Sequence, residues 1–263
     1  MRYILGIDIG TTAIKGAVIG EDGKIYGTKT SEYPLTTLPT GEVEADLQLY
    51  INAFTQSIKG AVEDAKVDVA DIKCVGFSST AETCVFLDKY NEPLCKVIAW
   101  MDTRATKEAE YLTAHFDKKD IIKKVGFDGI YAIHPVSKIL AVKNKNPEIF
   151  EKTRMFAQIK DYFIYRLTGE YYTDHSTASD HGFFDITNRC YWNEMLEFTG
   201  IKEEYLPKLV EPGTELGTIS REAALEFGLN PETKINVGAF DQGCGAIGAG
   251  NTKPGIASES TGS

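Results

Sequence analysis

Cysteine is scarce in this chain, with five residues among 263, and no two of them form a C-x-x-C pair. An odd number without paired spacing argues against a disulfide framework and against a cysteine-based zinc site. Apolar runs long enough to span a membrane are also lacking, and residues 1–5 enter a strand pattern without the apolar stretch of a signal peptide. We therefore expect a cytoplasmic protein with free thiols.

Net positive charge is lacking as well. Lys and Arg total 28 against 38 Asp and Glu, which gives a formal net charge of -10 at pH 7. Nucleic acid and anionic membrane surfaces would on average repel such a chain, so neither is an expected partner. A nucleotide is not excluded, because its phosphates need only a local pocket. With 43% hydrophobic residues, the chain can bury the core of one large or two small domains.

Hydrophobic periodicity predicts alternating strands and helices. Three apolar segments joined by short turns, at 3–9, 13–19 and 25–29, indicate an antiparallel meander at the N-terminus. Apolar residues spaced by three and four over 46–65 predict a helix, and 72–77 then returns as a strand. This pattern is typical of an α/β fold.

The rest of the chain continues the alternation. Segments 84–87 and 97–100 flank a polar turn and predict a hairpin. A helical pattern over 158–168 ends at Gly169, a residue type that favours the left-handed C-terminal position of a helix. The last clear strand is predicted at 234–240, and the small residues after it suit a tightly packed helix.

The first motif of chemical interest is the decapeptide GIDIGTTAIK, which joins the first predicted strand to the second. Gly10, Thr11 and Thr12 offer backbone N–H groups and small hydroxyls that phosphate oxygens can approach. Asp8 can hold a hydrated Mg²⁺, and Lys15 adds positive charge where a terminal phosphate leaves. The alternative is an ordinary tight hairpin with a solvated lysine. Dinucleotide binding is disfavoured because the segment turns into a strand and not into a helix.

Asp241 is the second candidate. It stands at the C-terminal end of the last predicted strand, among Gly238, Gly243 and Gly245. An open α/β sheet usually receives its ligand at this edge. A carboxylate there can take the proton from an attacking hydroxyl, as the catalytic aspartate does in phosphoryl transfer. The competing interpretation is an aspartate that caps the following helix.

Two Asp-His pairs, at 174–175 and 180–181, and the residues Tyr131 and His134 carry less weight. The pairs lack a cysteine or a third ligand at a suitable spacing, so a metal site is disfavoured against ordinary loop positions. Tyr131 and His134 either edge a substrate pocket or simply pack in the core.

Together these segments resemble the FGGY carbohydrate kinases, members of the actin, hexokinase and heat-shock chaperone superfamily with its RNase H-like core. The resemblance runs over nearly the whole chain, in blocks of matching order and spacing: the decapeptide, W-x-D-x-R at 100–104, KDY at 160–162, RLTG at 166–169, TD-x-S-x-AS at 173–179, LP at 206–207, PGT-x-x-G at 212–217 and GA-x-DQ at 238–242. It implies an α/β, RNase H-like domain with a mixed sheet flanked by helices.

The resemblance implies roles for the decapeptide. Asp8 would lie near Mg²⁺ and hold it through water. Gly10, Thr11, Thr12 and Lys15 would surround the transferred phosphate of ATP. The expected cofactors are therefore ATP and Mg²⁺.

The resemblance also implies a substrate site. Asp241 would be the general base that deprotonates a sugar or polyol hydroxyl, and Gln242 would hydrogen-bond the substrate beside it. Trp100 matches a tryptophan that packs against the carbon face of the substrate in glycerol kinases, and Glu82 matches the glutamate of their Arg-Glu-Thr motif. Ala81 takes the arginine position of that motif, which disfavours glycerol. Xylulose kinases usually show Met-His where this chain has Ala81 and Glu82.

The segment 137–162 nevertheless looks most similar to the xylulose-kinase-like branch. The expected activity is therefore phosphorylation of xylulose or a related pentulose, with a gluconate- or glycerol-kinase-like enzyme as the alternative. An ATPase that switches conformation would share the decapeptide, but the central blocks and the pair Asp241-Gln242 disfavour it. A regulatory or scaffold protein that lost the chemistry is the third alternative.

FGGY kinases contain two similarly sized domains with the active site between them. The last four residues, 260–263, resemble the start of the phosphate-binding segment in the second domain. We therefore expect the sugar-binding lobe over 1–245 and the start of a nucleotide-binding lobe over 246–263, cut from a longer kinase and close to inactive by itself. The expected partners are the sugar or polyol, ATP and the missing C-terminal lobe, with a homodimer left open.

Overall fold

The computed structural model describes residues 1–259, so the expected phosphate-binding segment at 260–263 lies outside the described residues. The strands are β1 (Tyr3–Ile9), β2 (Ala13–Gly20), β3 (Ile25–Glu32), β4 (Thr36–Thr37), β5 (Val43–Ala45), β6 (Ile72–Ser79), β7 (Cys84–Leu87), β8 (Val97–Ile98), β9 (Met155–Gln158), β10 (Tyr172–Asp174), β11 (Phe184–Asp185), β12 (Cys190–Tyr191), β13 (Lys208–Val210), β14 (Glu215–Thr218) and β15 (Lys234–Phe240). The helices are α1 (Leu47–Ala65), α2 (Thr106–His115), α3 (Lys118–Val125), α4 (Pro135–Lys145), α5 (Pro147–Lys152), α6 (Ile159–Thr168), α7 (His175–Ala178), α8 (Asn193–Thr199), α9 (Arg221–Phe227) and α10 (Asp241–Gly248). None of these described helices combines the length and the apolar composition needed to cross a membrane.

Six strands form the main sheet, in the order β14-β15-β6-β1-β2-β3. β1, β6 and β15 run parallel, whereas β2, β3 and β14 are antiparallel to their neighbours. The mixed sheet and the N-terminal meander predicted from the sequence are confirmed. Because the carboxyl ends of the three parallel strands lie at one edge, the residues that follow them gather there.

Helix α1 packs against β2 and β3 at very close range. A Cβ added to Gly27 of β3 would lie 2.3 Å from the backbone nitrogen of Ala65, so only glycine permits this contact between helix and strand. On the same helix Phe54 is fully buried and stacks on Phe163 of α6, with ring centroids 3.9 Å apart. The helix is therefore fixed both to the sheet and to the core.

A second sheet contains five strands in the order β4-β5-β8-β7-β9. The hairpin predicted from 84–87 and 97–100 is confirmed, because β7 and β8 are antiparallel neighbours, with Cys84 facing Ile98 and Leu87 bridging Pro93 near the turn. On its other side β7 pairs along its whole length with β9, a partner that was not predicted. β9 lies far along the chain, so local pattern does not reveal this partner. β8 ends at Ile98, which leaves Trp100 in a turn.

A bulge near the end of β15 directs the chain into α10. The register against β6 shifts between Asn236 and Ala239, and Gly238 between them has a φ of 70°. A Cβ at Gly238 would lie 1.8 Å from the carbonyl oxygen of Phe77, so no other residue type fits. α10 then begins at Asp241 and continues across the domain boundary expected at residue 245, and that boundary stays a prediction.

Candidate active site

The strand ends that carry Asp8 and Asp241 open into one cavity. β1 and β15 flank β6 in the main sheet, and Asp241 directly follows β15. The cavity has a volume of about 790 Å³, and its lining includes Asp8, Ser78, Asp241 and Gln242. The two carboxylates that the sequence singles out are therefore brought together at the carboxyl edge of the sheet.

The carboxylate of Asp8 is held from two sides. Ser78 Oγ, from the end of β6, donates to Asp8 Oδ1 at 3.0 Å, and Lys15 Nζ lies 3.5 Å from Asp8 Oδ2. The pair with Lys15 forms because the two residues face each other across β1 and β2. A Cβ on Gly10 would lie 3.1 Å from the carbonyl oxygen of Ala13, so a larger residue would crowd the turn that follows Asp8.

This donor set fits a hydrated Mg²⁺. The ion prefers oxygen ligands, keeps several waters, and in nucleotide enzymes is usually held by one or two carboxylates plus phosphates. The side chain of Asp8 is 36% exposed, which leaves room for bridging water. Over residues 1–259 no group of three or more His, Cys, Asp or Glu side chains is placed to form a metal cage made of protein alone. Asp8 could thus hold Mg²⁺ only together with water and phosphate.

The turn between β1 and β2 uses part of its own hydrogen-bonding capacity. The N–H of Gly10 donates to the carbonyl of Ala13 at 3.0 Å, so this N–H is engaged within the turn, and a contact of Gly10 with phosphate stays a prediction. The N–H groups of Thr11 and Thr12 bond to no acceptor within the described chain, and Thr12 is exposed. These two residues supply the donors that remain.

Asp241 begins helix α10 and does not cap it, because Phe240 holds the N-cap position. Its Oδ1 atom is buried and has no hydrogen-bond partner among residues 1–259. Burial raises the pKa of this carboxyl, the charge of Asp8 raises it further, and the backbone N–H of Gln242 opposes the shift. A carboxylate with a raised pKa accepts a proton more readily, which suits a general base.

A buried polar network holds the backbone that leads into Asp241. The N–H of Phe240 donates to Ser176 Oγ at 3.0 Å, and Ser176 Oγ donates to Asp174 Oδ1. Asp174 also pairs with Lys160, and both side chains are fully buried. Burial alone would raise the pKa of Asp174, but the Lys160 charge and the hydrogen bonds outweigh it and lower that pKa. Asp174 is therefore committed to this network and not to a metal.

Trp100 lies against the turn between β1 and β2. Its indole Nε1 donates to Thr11 Oγ1 at 2.8 Å, which engages this oxygen as an acceptor and leaves the O–H able to donate. Neither Trp100 nor Glu82 belongs to the described lining of the cavity that Asp8 and Asp241 share. Trp100, which is expected to contact sugar, is thus hydrogen-bonded to the turn that is expected to contact phosphate, but Trp100 and Glu82 both lie outside the described lining of the cavity.

Glu82 has a left-handed backbone with a φ of 66°, which is uncommon for a residue other than glycine. Its N–H donates to Gln158 Oε1 at 2.6 Å, and its carbonyl accepts from Lys138 Nζ at 2.8 Å. Burial raises the pKa of its carboxyl to about 8, the charge of Asp180 adds to the shift, and Lys138 opposes it. At neutral pH this carboxyl is mainly protonated and can donate a hydrogen bond.

Asp180 is a candidate that the sequence analysis considered only as a metal ligand. Burial raises the pKa of its carboxyl to about 6, and the charge of Asp241 adds to the shift. Asp180 therefore lies within electrostatic reach of both Asp241 and Glu82. Its position directly after the TD-x-S-x-AS block was the signal that could have identified it.

Three other candidates are placed less favourably. Ala81 is 2% exposed and does not line the cavity within the described chain, so its expected contact with substrate is not supported. The hydroxyl of Tyr131 bonds to Asp128 near the surface. His134 is fully buried, packs against the rings of Phe127 and Tyr131, and has its pKa lowered by burial to about 4. For His134 the geometry favours core packing.

The fold and the paired acidic strand ends define an RNase H-like domain of the actin and hexokinase type. The model of the N-terminal domain of the FGGY family of carbohydrate kinases matches residues 3–248. The chain therefore belongs to this family.

Individual relatives agree with this assignment. The xylulose kinase of Bacillus subtilis (strain 168) is 32% identical over 252 residues, which cover 95% of this chain and 50% of that protein. The gluconokinase of the same strain is 31% identical over 258 residues, which cover 96% and 49%. The solved structure of ligand-bound xylulose kinase from Lactobacillus acidophilus gives a TM-score of 0.88 at 30% identity, over 95% of this chain and 50% of that one. The chain thus spans about half the length of the curated relatives it matches.

Proposed function

We propose that this chain is the sugar-binding lobe of a kinase that transfers the terminal phosphoryl group of ATP to a hydroxyl of an uncharged sugar or polyol. The observation that carries the proposal is the cavity shared by Asp8 and Asp241 at the carboxyl ends of β1 and β15. Membership of a carbohydrate kinase family supports the reaction class. Because the relatives are about twice as long, a C-terminal lobe completes the nucleotide site in this proposal.

Asp241 is the proposed general base. It accepts the proton of the attacking hydroxyl while that oxygen bonds to the terminal phosphorus of ATP and the bond from this phosphorus to ADP breaks. The raised pKa of Asp241, caused first by burial, brings its proton affinity closer to neutral pH and supports this role. Gln242 lines the same cavity and is the proposed hydrogen-bond partner of the substrate.

The phosphate side of the site is proposed to lie at Asp8 and the turn that follows it. Mg²⁺, bound through water to Asp8, would neutralise charge on the phosphate oxygens. The side chain of Lys15 is 59% exposed, so it can turn from Asp8 toward a phosphate with little loss of packing. The N–H groups of Thr11 and Thr12 supply further donors.

The acidic character of the site favours an uncharged substrate. Glu82, Asp180 and Asp241 all have pKa values raised first by burial. Glu82 is mainly protonated at neutral pH, but a substrate carboxylate near Asp180 and Asp241 would still add another poorly solvated negative charge. A pentulose such as xylulose therefore fits better than gluconate, although relatives of both names are about equally similar, at 32% and 31% identity.

Titration calorimetry of the chain against D-xylulose, D-ribulose, glycerol and D-gluconate tests this proposal. We expect D-xylulose to bind at least about tenfold more tightly than D-gluconate, a difference of about 1.4 kcal/mol. Mg-ATP should bind weakly, because the adenosine site belongs to the proposed C-terminal lobe. A preference for gluconate would overturn the uncharged class, and indifference to every sugar would overturn the sugar-lobe assignment. Sedimentation at several concentrations decides whether the chain forms a homodimer.

A further inference from the structure

Lys138, on helix α4, is a fully buried lysine that forms no described ion pair in the range 1–259. Its Nζ donates to the carbonyl oxygens of Glu82 at 2.8 Å, Ala99 at 2.9 Å and Trp100 at 2.9 Å. An ammonium group has three donors, so these three carbonyls use all of its capacity. Burying a charge without a countercharge costs free energy, even when backbone carbonyls accept all of its hydrogen bonds.

The three carbonyls belong to two separate segments. Glu82 lies in the connection between β6 and β7, whereas Ala99 and Trp100 follow β8. Lys138 is thus a single group to which both segments are tied. The β7–β8 hairpin also joins the two segments, through Cys84 with Ile98 and Leu87 with Pro93, but neither Glu82 nor Trp100 belongs to these described pairs.

Glu82 is fixed on both of its peptide groups. Gln158 Oε1 accepts from its N–H at 2.6 Å, and Lys138 donates to its carbonyl. These two contacts hold a left-handed backbone that a glutamate rarely adopts. Without the ammonium, the carbonyl of Glu82 would keep only the weak thiol donor Cys84 Sγ at 3.6 Å, and the peptide could rotate away.

Trp100 extends the same connection to the phosphate turn. Lys138 holds its carbonyl, and its indole donates to Thr11 Oγ1 at 2.8 Å. Glu82 and Trp100 are therefore both oriented, directly or through one residue, by the same buried ammonium.

We infer that Lys138 is a positioning residue that sets the relative placement of the two segments carrying Glu82 and Trp100, and thereby the affinity of the lobe for its sugar. The inference rests on the proposed function and on the sugar contacts that the family resemblance implies for Glu82 and Trp100. Lys138 itself touches no substrate in this scheme.

The first test replaces the ammonium without changing the length of the side chain. In Lys138→Met we expect the dissociation constant for D-xylulose to rise at least tenfold. The matched control is Lys143→Met on the same helix, where the lost contact is to the carbonyl of Thr199 at 2.7 Å, and there affinity should stay within twofold. An affinity within twofold of wild type for a folded Lys138→Met overturns the inference and leaves the proposed function standing.

A spectroscopic signature separates positioning from a general loss of stability. The two tryptophans, Trp100 and Trp192, give two indole N–H signals in a nitrogen–proton spectrum. Lys138→Met should shift the Trp100 signal, whose N–H bonds to Thr11, and leave that of Trp192 in place. Equal shifts of both signals would indicate a global change and would contradict a positioning role.

A measurement on the unmodified chain needs neither a variant nor a sugar. The N–H of Glu82, bound to Gln158, and the N–H of Asp102, bound to the carbonyl of Ala99 at 3.1 Å, report on the two segments. If one ammonium ties both, their native-state hydrogen exchange should follow a common opening, with protection factors within about threefold. Protection differing by more than a hundredfold would overturn the inference even if Lys138→Met fails to fold. If the two N–H groups exchanged through a common opening but the chain bound no sugar, the link through Lys138 would stand and the sugar-lobe proposal would be overturned.

Discussion

The indole of Trp100 donates a hydrogen bond to the hydroxyl of Thr11 at 2.8 Å. Thr11 lies in the turn after β1, and Trp100 lies beyond β8 of the other sheet. The bond therefore joins a residue that the family resemblance expects to contact sugar to the segment proposed to contact phosphate. A displacement of either one is expected to move the other, since their side chains share this contact.

Asp241→Asn tests the proposed general base. In a kinase that combines this lobe with its C-terminal lobe, we expect kcat to fall by about 10² to 10⁴ fold, because proton transfer contributes a factor of that size. Sugar affinity should change little, because asparagine keeps the size and most contacts of aspartate. Sugar-dependent release of ADP measures the first effect, and calorimetry on the lobe measures the second.

The control for this prediction is Asp120→Asn, which neutralises an exposed carboxylate on α3. Its turnover should match that of wild type. If Asp241→Asn also retained wild-type turnover, the general base would have to be sought elsewhere.

Gly238→Ala tests the bend that directs the chain to Asp241. The backbone at φ 70° disfavours alanine, and the added Cβ would lie 1.8 Å from the carbonyl oxygen of Phe77. We expect a loss of more than about 2 kcal/mol in the free energy of unfolding, since strain and overlap add. Gly213→Ala has a similar φ of 78° but no neighbour within 4 Å of the added Cβ, so it measures the strain alone. Equal losses in urea denaturation would show that the contact with Phe77 does not matter.

Lys160→Met tests the buried ion pair with Asp174. The variant leaves the carboxylate buried without its cation, and such losses cost about 3–5 kcal/mol. The pKa of Asp174 is lower in the folded state than in the unfolded chain, where an aspartate titrates at about 4. The ion pair therefore stabilises the fold fully above about pH 4, and this stabilisation is lost as pH falls through the folded-state pKa of Asp174. Without Lys160, burial raises the pKa of Asp174, so the deficit of Lys160→Met should be largest at neutral pH and shrink as pH falls toward and below about 4.

Thermal unfolding of wild type and Lys160→Met across this pH range measures the effect. Lys59→Met, on the exposed side of α1, should show no deficit at any pH. A deficit in Lys160→Met that is independent of pH would indicate lost packing and not a lost ion pair.

Glu82→Gln tests the burial of a carboxyl in the site. Burial raises the pKa of Glu82 to about 8, so the folded state holds this proton more tightly than the unfolded chain does. The contribution of the protonated Glu82 to the free energy of unfolding is fully present below about pH 4 and is lost as pH rises through about 8. Glutamine carries no charge, so the variant should be more stable than wild type at pH 9, by on the order of a few kcal/mol, and nearly equal at pH 5.

Urea midpoints at both pH values give the comparison. Glu63→Gln, at an exposed position on α1, should leave the urea midpoint unchanged at both pH values. A Glu82→Gln variant that loses stability at pH 9 would show that the charged carboxylate is well solvated or paired.

Local pattern was sufficient wherever the information lies within one segment. The period of two at Tyr3–Ile9 and the spacing of apolar residues along Leu47–Ala65 predicted β1 and α1, because side-chain direction repeats with backbone geometry. The same holds for Asp8 and Asp241, since a charged residue that ends an apolar strand must lie at the edge of a sheet. Their meeting in one cavity followed once both strands were placed in a parallel arrangement.

Only the tertiary structure decided which distant groups meet. The pairing of β7 with β9, the tie from Lys138 to Glu82 and Trp100, and the reach of Asp180 to Asp241 join residues far apart in the chain. The burial of Lys138 on α4 also came from the structure, because the sequence analysis did not single out this lysine. A backbone carbonyl carries no residue-specific mark, and burial arises only when the whole core is assembled, so neither the carbonyl partners of Lys138 nor the raised pKa of Glu82 is written in any local pattern.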